Sequence, residues 1–198
     1  MEARGKATHS GTPCEGMAMI KKFLPGVLLG MCLPFLGGYV FIILGGMPVT
    51  TKDAPLPFER YLAKQALKVA MHKEIGRRAA MPPDDTNLLA GAKVYRGQCA
   101  VCHGLPDQPP GAIAKGMFPP PPSLFSPDEG VTNDPEGKIY WIVKHGIRLT
   151  GMPSFQASLS DTELWQVSLL LLKAQQLSAP VRQSLHPALT DAEGTLGK

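Results

Sequence analysis

The sequence of 198 residues has little net charge and few cysteines, and each shortage excludes a class of protein. Its formal net charge is +4, which is too small for binding nucleic acid through a basic surface. The sequence contains no second Cys-x-x-Cys pair and no histidine pair at zinc spacing, so a structural zinc site is not indicated. A βαβ pattern of the thioredoxin kind and a group of residues suited to general base catalysis are also absent.

Proline and glycine are abundant instead, with 20 and 21 residues, or about a fifth of the chain. A chain of this length holds one or two domains, and the composition favours one small domain with appended segments. These segments lie at the two ends of the chain and in the stretch between the N-terminal apolar run, described next, and the domain.

The apolar run near the N-terminus has the composition of a membrane span. Residues 23–51 contain no charged side chain, and two lysines precede the run and one follows it. That length spans a bilayer as a helix, which the two prolines within the run make irregular without forbidding it. The run is longer than the apolar region of a secretory signal, and no clear cleavage site follows. We therefore predict an uncleaved transmembrane anchor over residues 23–48 rather than a removed signal.

The remaining N-terminal features are less informative. Residues 1–22 form a predicted N-terminal tail, in which Met17 and Met19 are alternative start sites because residues 1–16 show no apolar periodicity. Cys14 in this tail and Cys32 in the apolar run are not expected to form a disulfide. Cys32 is also a poor lipoprotein site, because the bulky Met31 precedes it.

Residues 99–103 read Cys-Ala-Val-Cys-His, which is the attachment signature of a c-type haem. Within one helical turn, two cysteine sulfurs at this spacing point the same way and reach the two vinyl groups of one porphyrin. The histidine that follows places an imidazole nitrogen against the iron as the first axial ligand. We predict one haem c, attached through two thioethers to Cys99 and Cys102, with His103 as a ligand of the iron.

A methionine about fifty residues downstream is the predicted second axial ligand. Met152 lies between Gly151 and Pro153; the proline stiffens the segment, and the glycine allows close backbone approach. A thioether ligand raises the reduction potential of the iron, as suits an electron carrier. Two rivals are considered: His145 would give a bis-histidine haem, and Met117 lies close to the histidine side. Met152 is preferred over both.

The segment from about Asn87 to Gln176 resembles a class I c-type cytochrome, of the membrane-anchored bacterial kind with a single haem. The resemblance rests on a helix leading into Cys-x-x-Cys-His, a Gly-Met-Pro-x-Phe loop and an apolar C-terminal helix with an early tryptophan. It covers a little under half of the chain. The implied fold is all-α, with a cytochrome c-like haem domain over residues 87–177 preceded by a transmembrane helix and a linker helix.

The resemblance also assigns supporting roles within this domain. Gly91 and Tyr95 are expected where the first domain helix, capped by Thr86 or Asn87, crosses the last one. A capping box at Ser160–Glu163 begins that last helix. One carbonyl within Pro119–Pro122 is expected to accept a hydrogen bond from the ring of His103, although the sequence does not say which.

Two further segments flank the domain. Residues 49–86 form a predicted linker with a basic amphipathic helix over 58–80, in which Arg60, Lys64, Lys68 and His72 recur every four residues. This helix either lies on anionic lipid or an acidic partner, or packs on its own domain. Residues 178–198 form a polar C-terminal tail that is either loose or wrapped around the domain.

The resemblance implies a periplasm-facing electron carrier, anchored in the bacterial inner membrane with its N-terminal tail in the cytoplasm. It would exchange electrons with redox partner proteins and would not be an enzyme by itself. The alternative is a haem c subunit of a larger membrane-bound dehydrogenase or terminal oxidase in the respiratory chain. An enzyme or gas sensor with an open iron site ranks last, because it requires Met152 to be absent or labile.

Overall fold

The structure of this chain is a computed structural model that describes residues 14–186, with side chains described from residue 23 onward. The first thirteen residues of the predicted N-terminal tail and residues 187–198 of the predicted C-terminal tail lie outside the described residues. The chain divides between Val49 and Thr50 into two compact units. Residues 14–186 contain eight α-helices and a short 3₁₀ helix but no strand, which confirms the predicted all-α class.

The first unit is built on one long apolar helix, α1, from Cys14 to Ile43. Its portion Phe23–Ile43 is long and apolar enough to cross a membrane, and none of that window is buried. Gly45 follows in the left-handed conformation with φ of 77°, which ends the helix five residues before the predicted end of the anchor. Cys32 is an exposed free thiol, whereas the Cys14 side chain lies outside the described residues.

The second unit contains the other helices and a hydrophobic core. The helices are α2 (Glu59–Met71), α3 (Asp85–Gln98), α4 (Ala100–His103), α5 (Ala112–Lys115), α6 (Glu136–His145), α7 (Asp161–Leu172) and α8 (Ala179–Leu185), with the 3₁₀ helix at Ala174–Gln176. The core lies mainly between α3, α6, α7 and α8. Its largest almost completely buried side chains are Tyr95, Tyr140, Leu164, Leu170, Leu185, Val167 and Val181.

Helices α3 and α7 cross at Gly91, as the resemblance implies. A Cβ at Gly91 would overlap the backbone carbonyl of Gln166, so only glycine allows the two helices to approach this closely. The side chain of Tyr95, one turn later, is fully buried and meets Phe125 edge to face at 5.0 Å. Helix α7 begins with the predicted capping box of Ser160 and Glu163.

Helix α8 lies within the segment that the sequence left open as loose or wrapped. Val181 and Leu185 are completely buried, and the Arg96 guanidinium on α3 donates a hydrogen bond to the Ser184 carbonyl at 3.3 Å. Burial of these two aliphatic side chains stabilises the packing of residues 179–185 on the domain.

Two predicted boundaries are wrong. Asp84, rather than Thr86 or Asn87, caps α3, because its carboxylate accepts a hydrogen bond from the Asn87 amide at 2.9 Å. The linker helix ends at Met71 instead of residue 80. The chain beyond it turns and packs on the start of α6, where Glu136 accepts a hydrogen bond from the Ala79 amide at 3.1 Å. A tertiary contact has replaced the last turns of the expected helix.

Candidate haem-binding site

One pocket in the second unit brings the predicted ligands together. Its empty volume, counted together with its open mouth, is about 780 Å³. Cys99, Cys102, His103 and Met152 all line it, although they lie up to fifty-three residues apart in sequence. The rest of the lining is mostly apolar and comes from the prolines 119–122, Leu124, Val143, Ile147, Phe155 and Leu171, among others.

The first part of the pocket, which we call the histidine wall, consists of Cys99, Cys102, His103 and Pro119–Pro122. Helix α4 is a single turn in which the amide of His103 donates to the Cys99 carbonyl at 2.9 Å. This turn brings both sulfurs and the imidazole to one pocket. The Tyr95 hydroxyl donates to the buried carbonyl of Gly104 at 2.7 Å, which ties the end of the turn to α3.

The ring of His103 is held by one proline carbonyl, as expected. Its Nδ1 lies 2.8 Å from the carbonyl oxygen of Pro122. A carbonyl can only accept, so Nδ1 must carry the proton, and the lone pair of Nε2 is left for a metal. Burial lowers the pKa of His103, and the bond to Pro122 partly opposes that effect. Both the tautomer and the neutral charge state therefore suit metal ligation.

Burial also shifts the pKa of Cys99, the first cysteine of the pair. It raises the pKa of the Cys99 thiol to about 12, and the nearby Cys102 adds to the effect. The thiol of Cys99 is therefore neutral and weakly nucleophilic at neutral pH. Burial raises the pKa of Tyr95 as well, so its hydroxyl remains a donor toward Gly104.

The second part of the pocket, which we call the methionine loop, comprises residues 146–155. It begins at Gly146, whose φ of 67° ends α6 and whose position against the Pro153 backbone leaves no room for a Cβ. The Thr150 hydroxyl accepts from the Met152 amide at 3.1 Å and donates to the Ile147 carbonyl at 2.7 Å. The loop returns to α6 through Phe155, whose amide donates to the Val143 carbonyl at 3.3 Å.

The two rival ligands lie in different places. His145 is exposed, packs its ring against Trp141 at 4.9 Å and is not among the residues that line the pocket. Met117 does line the pocket, and its methyl group lies close to the methionine loop, since a Cβ on Gly151 would overlap it. That Met117 also lies too close to the histidine side to be the second ligand stays a prediction.

The residues present fit a c-type haem. The pocket is mostly apolar, it contains two thiols one turn apart, and it holds one imidazole in the tautomer that a metal requires. A thioether, which is a usual partner of histidine on haem iron, lines the same pocket. The described residues contain no group of three or more His, Cys, Asp or Glu side chains that would hold a bare metal ion.

A helical domain with this turn and pocket is a c-type cytochrome domain, and comparison with known proteins agrees. Residues 86–169, which are 84 of the 198, match the family described as cytochrome c oxidase, cbb3-type, subunit III. No curated protein matches the chain significantly. The chain carries a domain for electron transfer by haem.

Solved structures include a chain of the Kuenenia stuttgartiensis reducing HAO-like protein complex that is similar to this one. The two are 26% identical, with a TM-score of 0.40 over 48% of this chain. The shared region spans 47% of that chain, or about half of its length.

Sequence reasoning missed two residues that shape the pocket and left a third undecided. Gly146 was not singled out, although a glycine after a helix that ends in Lys-His is a recognisable stop signal. Thr150 was not identified as the hydrogen-bonding centre of the methionine loop, and no sequence signal marks it. Pro122 could not be chosen among four consecutive prolines, because the choice depends on where the imidazole lies.

Proposed function

We propose that this chain is a membrane-anchored carrier that passes one electron at a time through a single haem c, attached to Cys99 and Cys102. His103 would bind the iron on one side and Met152 on the other. The observation that supports this most is the pocket itself, which contains all four side chains and whose imidazole donates to the Pro122 carbonyl. Bound haem supplies an iron that cycles between ferrous and ferric states.

The protein's own residues provide orientation and exclude water. The Pro122 carbonyl keeps the proton of His103 on Nδ1, which leaves the lone pair on Nε2. The hydrogen bonds of Thr150 hold the backbone around Met152. Apolar side chains such as Leu124, Val143 and Phe155 line the pocket and keep its dielectric low. A fixed ligand set requires little rearrangement between the two charge states of the iron, which suits a carrier.

Location follows from the anchor and from the site of haem attachment. The helix Phe23–Ile43 would hold the protein in the bacterial inner membrane, and the haem domain would lie in the periplasm, where c-type haems are attached. Protease treatment of intact spheroplasts tests this orientation. The proposal requires loss of the haem domain under these conditions, and protection of that domain until the cells are lysed would refute it.

A second candidate is a haem c subunit of a larger respiratory complex. It is favoured by the match of residues 86–169 to a family described as an oxidase subunit. Purification in mild detergent separates the two possibilities. A carrier elutes as a single polypeptide, whereas a subunit remains with haem-containing partners after a salt wash.

The optical spectrum tests the proposed ligands. We expect a low-spin c-type spectrum with the weak far-red band of methionine–iron ligation and no shift on addition of carbon monoxide. Met152→Leu should abolish the band and open the iron to carbon monoxide. The matched control Met81→Leu, a partly buried methionine that does not line the pocket, should change neither. A wild-type protein that binds carbon monoxide readily would instead indicate an enzyme or sensor.

A further inference from the structure

Helix α2 has an apolar face that its own domain does not cover. Phe58, Tyr61, Leu62 and Val69 recur at helical spacing on one side, and we call these four residues the α2 stripe. Their exposed fractions are 76%, 60%, 62% and 74%. An exposed apolar face of this kind on a folded domain marks an interaction surface.

The opposite face of α2 already packs on the domain. Met71 is buried, Leu67 is half-buried, and the guanidinium of Arg60 lies 5.9 Å from the ring centroid of Phe118. The helix is therefore oriented by its own domain, with the α2 stripe facing outward. The sequence left two interpretations open for this helix, and the packed face accounts for only two of the six large apolar side chains of residues 58–71, Leu67 and Met71.

The charge of α2 complements an anionic surface. The helix contains three basic residues, Arg60, Lys64 and Lys68, and one acidic residue, Glu59; His72 and Lys73 follow directly. The Glu59 carboxylate is engaged locally, since it accepts a hydrogen bond from the Leu56 amide at 2.8 Å. No ion pair within residues 14–186 involves Lys64, Lys68 or Lys73. All three lysines are exposed, and helical spacing places Lys68 next to Tyr61 at the edge of the α2 stripe.

The chain itself keeps this helix near a membrane. The candidate span ends at Ile43 and α2 begins at Glu59, so fifteen residues, 44–58, connect them. Fully extended, that connection reaches about 50 Å. A tethered surface meets its binding site at a high effective concentration, so even weak binding is populated. The α2 stripe also contains Tyr61, and the amphipathic ring of tyrosine favours the headgroup level of a bilayer.

We propose that α2 is a second membrane contact, whose stripe inserts into the headgroup region of an anionic bilayer while Lys68 and Lys73 bind lipid phosphates. The proposal rests on the proposed anchor, which supplies the tether. Its consequence is an oriented haem domain: with α2 lying on the membrane, the pocket faces a fixed direction relative to the lipid surface.

Fluorescence quenching in the full-length holoprotein tests this contact. Cys14→Ser and Cys32→Ser remove the thiols outside the haem site, and Leu62→Cys supplies the thiol that carries an environment-sensitive fluorophore. The matched control carries the label through Ala63→Cys, at a position that is also exposed but points about 100° further around the helix. Both proteins are reconstituted into vesicles of phosphatidylcholine and phosphatidylglycerol, with and without lipids that bear a doxyl quencher. The ratio of the two signals cancels any constant quenching by the haem.

We expect the doxyl lipid to quench the label at 62 at least about twofold more than the label at 63. Adding Val69→Glu should remove this difference, and Lys68→Gln with Lys73→Gln should weaken it only in vesicles that contain phosphatidylglycerol. Equal, weak quenching at both positions would overturn the proposal. A second result would also overturn it: the label at 62 is protected from aqueous iodide, the protection increases with protein concentration, and doxyl lipid does not quench the label. That result would mean that a second copy of the chain, and not lipid, covers the α2 stripe.

Flotation of the same vesicles distinguishes failure of the α2 contact from failure of the proposed anchor. A protein that floats, with both labels in water, refutes the α2 contact and leaves the anchor intact. A protein that fails to float refutes the anchor itself.

Discussion

The histidine wall and the methionine loop hold the side chains of the two proposed iron ligands in different ways. His103 ends a helical turn, and its ring, its backbone and the following carbonyl are each hydrogen-bonded to a different part of the domain. Met152 lies in a loop outside the helices, and its backbone is held by Thr150 and Ile147 within the same loop. Leu149 in that loop is 91% exposed and has a positive φ of 62°.

This difference indicates a division of labour. Ligands built on regular elements are positioned more firmly than ligands built on loops. We infer that the histidine wall determines whether the cofactor is held at all. The methionine loop determines which ligand occupies the remaining coordination position, and through it the reduction potential. The four predictions below test this division in order of expected effect.

The largest effect is expected for His103→Ala. Removing the imidazole deletes the only ligand that Pro122 orients, so we expect the haem content per protein to fall at least about tenfold. Pyridine haemochrome absorbance measures this directly. Met152→Leu should keep the haem, and Cys32→Ser should behave as wild type. Equal loss of haem in the His103 and Met152 variants would contradict the division of labour.

Gly91→Ala should weaken both parts of the pocket through their common scaffold. The added Cβ meets the backbone carbonyl of Gln166, which cannot rotate away, so α3 and α7 must separate. We expect a loss of about 1–3 kcal/mol in the free energy of unfolding, measured by urea denaturation. Gly97→Ala on the same helix is the control, because a Cβ there meets nothing within 4 Å. If Gly97→Ala were equally destabilising, the loss of stability would come from alanine in α3 itself and not from the crossing of α3 and α7.

The sequence predicts the parts of this fold that depend on local pattern. The turn at Cys99, the capping box at Ser160 and the close crossing at Gly91 each follow from residue type and spacing, or from resemblance. The parts that failed depend on tertiary contact. The linker helix stops early because Glu136 binds the chain beyond it, and the sequence could not single out Pro122 because the choice depends on where the imidazole lies. Neither contact leaves a periodic trace in the sequence.

Thr150→Val should affect the methionine loop alone. Valine keeps the shape of threonine but loses the hydrogen bonds to the Met152 amide and the Ile147 carbonyl. We expect carbon monoxide to displace Met152 more easily. A loss of about 1 kcal/mol in the free energy that holds Met152 in place should raise the affinity for carbon monoxide about fivefold. Carbon monoxide titration of the reduced protein measures it. In contrast, Tyr95→Phe removes the donor that ties the end of the α4 turn to α3, and it should lower stability by about 1–3 kcal/mol while leaving carbon monoxide affinity unchanged.

The smallest effect is expected at Glu163, which lies outside both parts of the pocket. Hydrogen bonds from the side chain and then the backbone of Ser160 lower the pKa of this carboxyl. Because the folded-state pKa is lowered, the carboxylate contributes stability above the ordinary glutamate pKa of about 4.3, and this contribution disappears as the pH falls through the lowered value. Glu163→Gln should therefore reduce the Tm slightly at pH 7, and the difference from wild type should close below about pH 4. The far-red band should be unchanged, with the exposed Asp128→Asn as the control. A change in that band would mean that the start of α7 influences Met152. The methionine loop would then not act independently of the helices that support it, contrary to the division of labour.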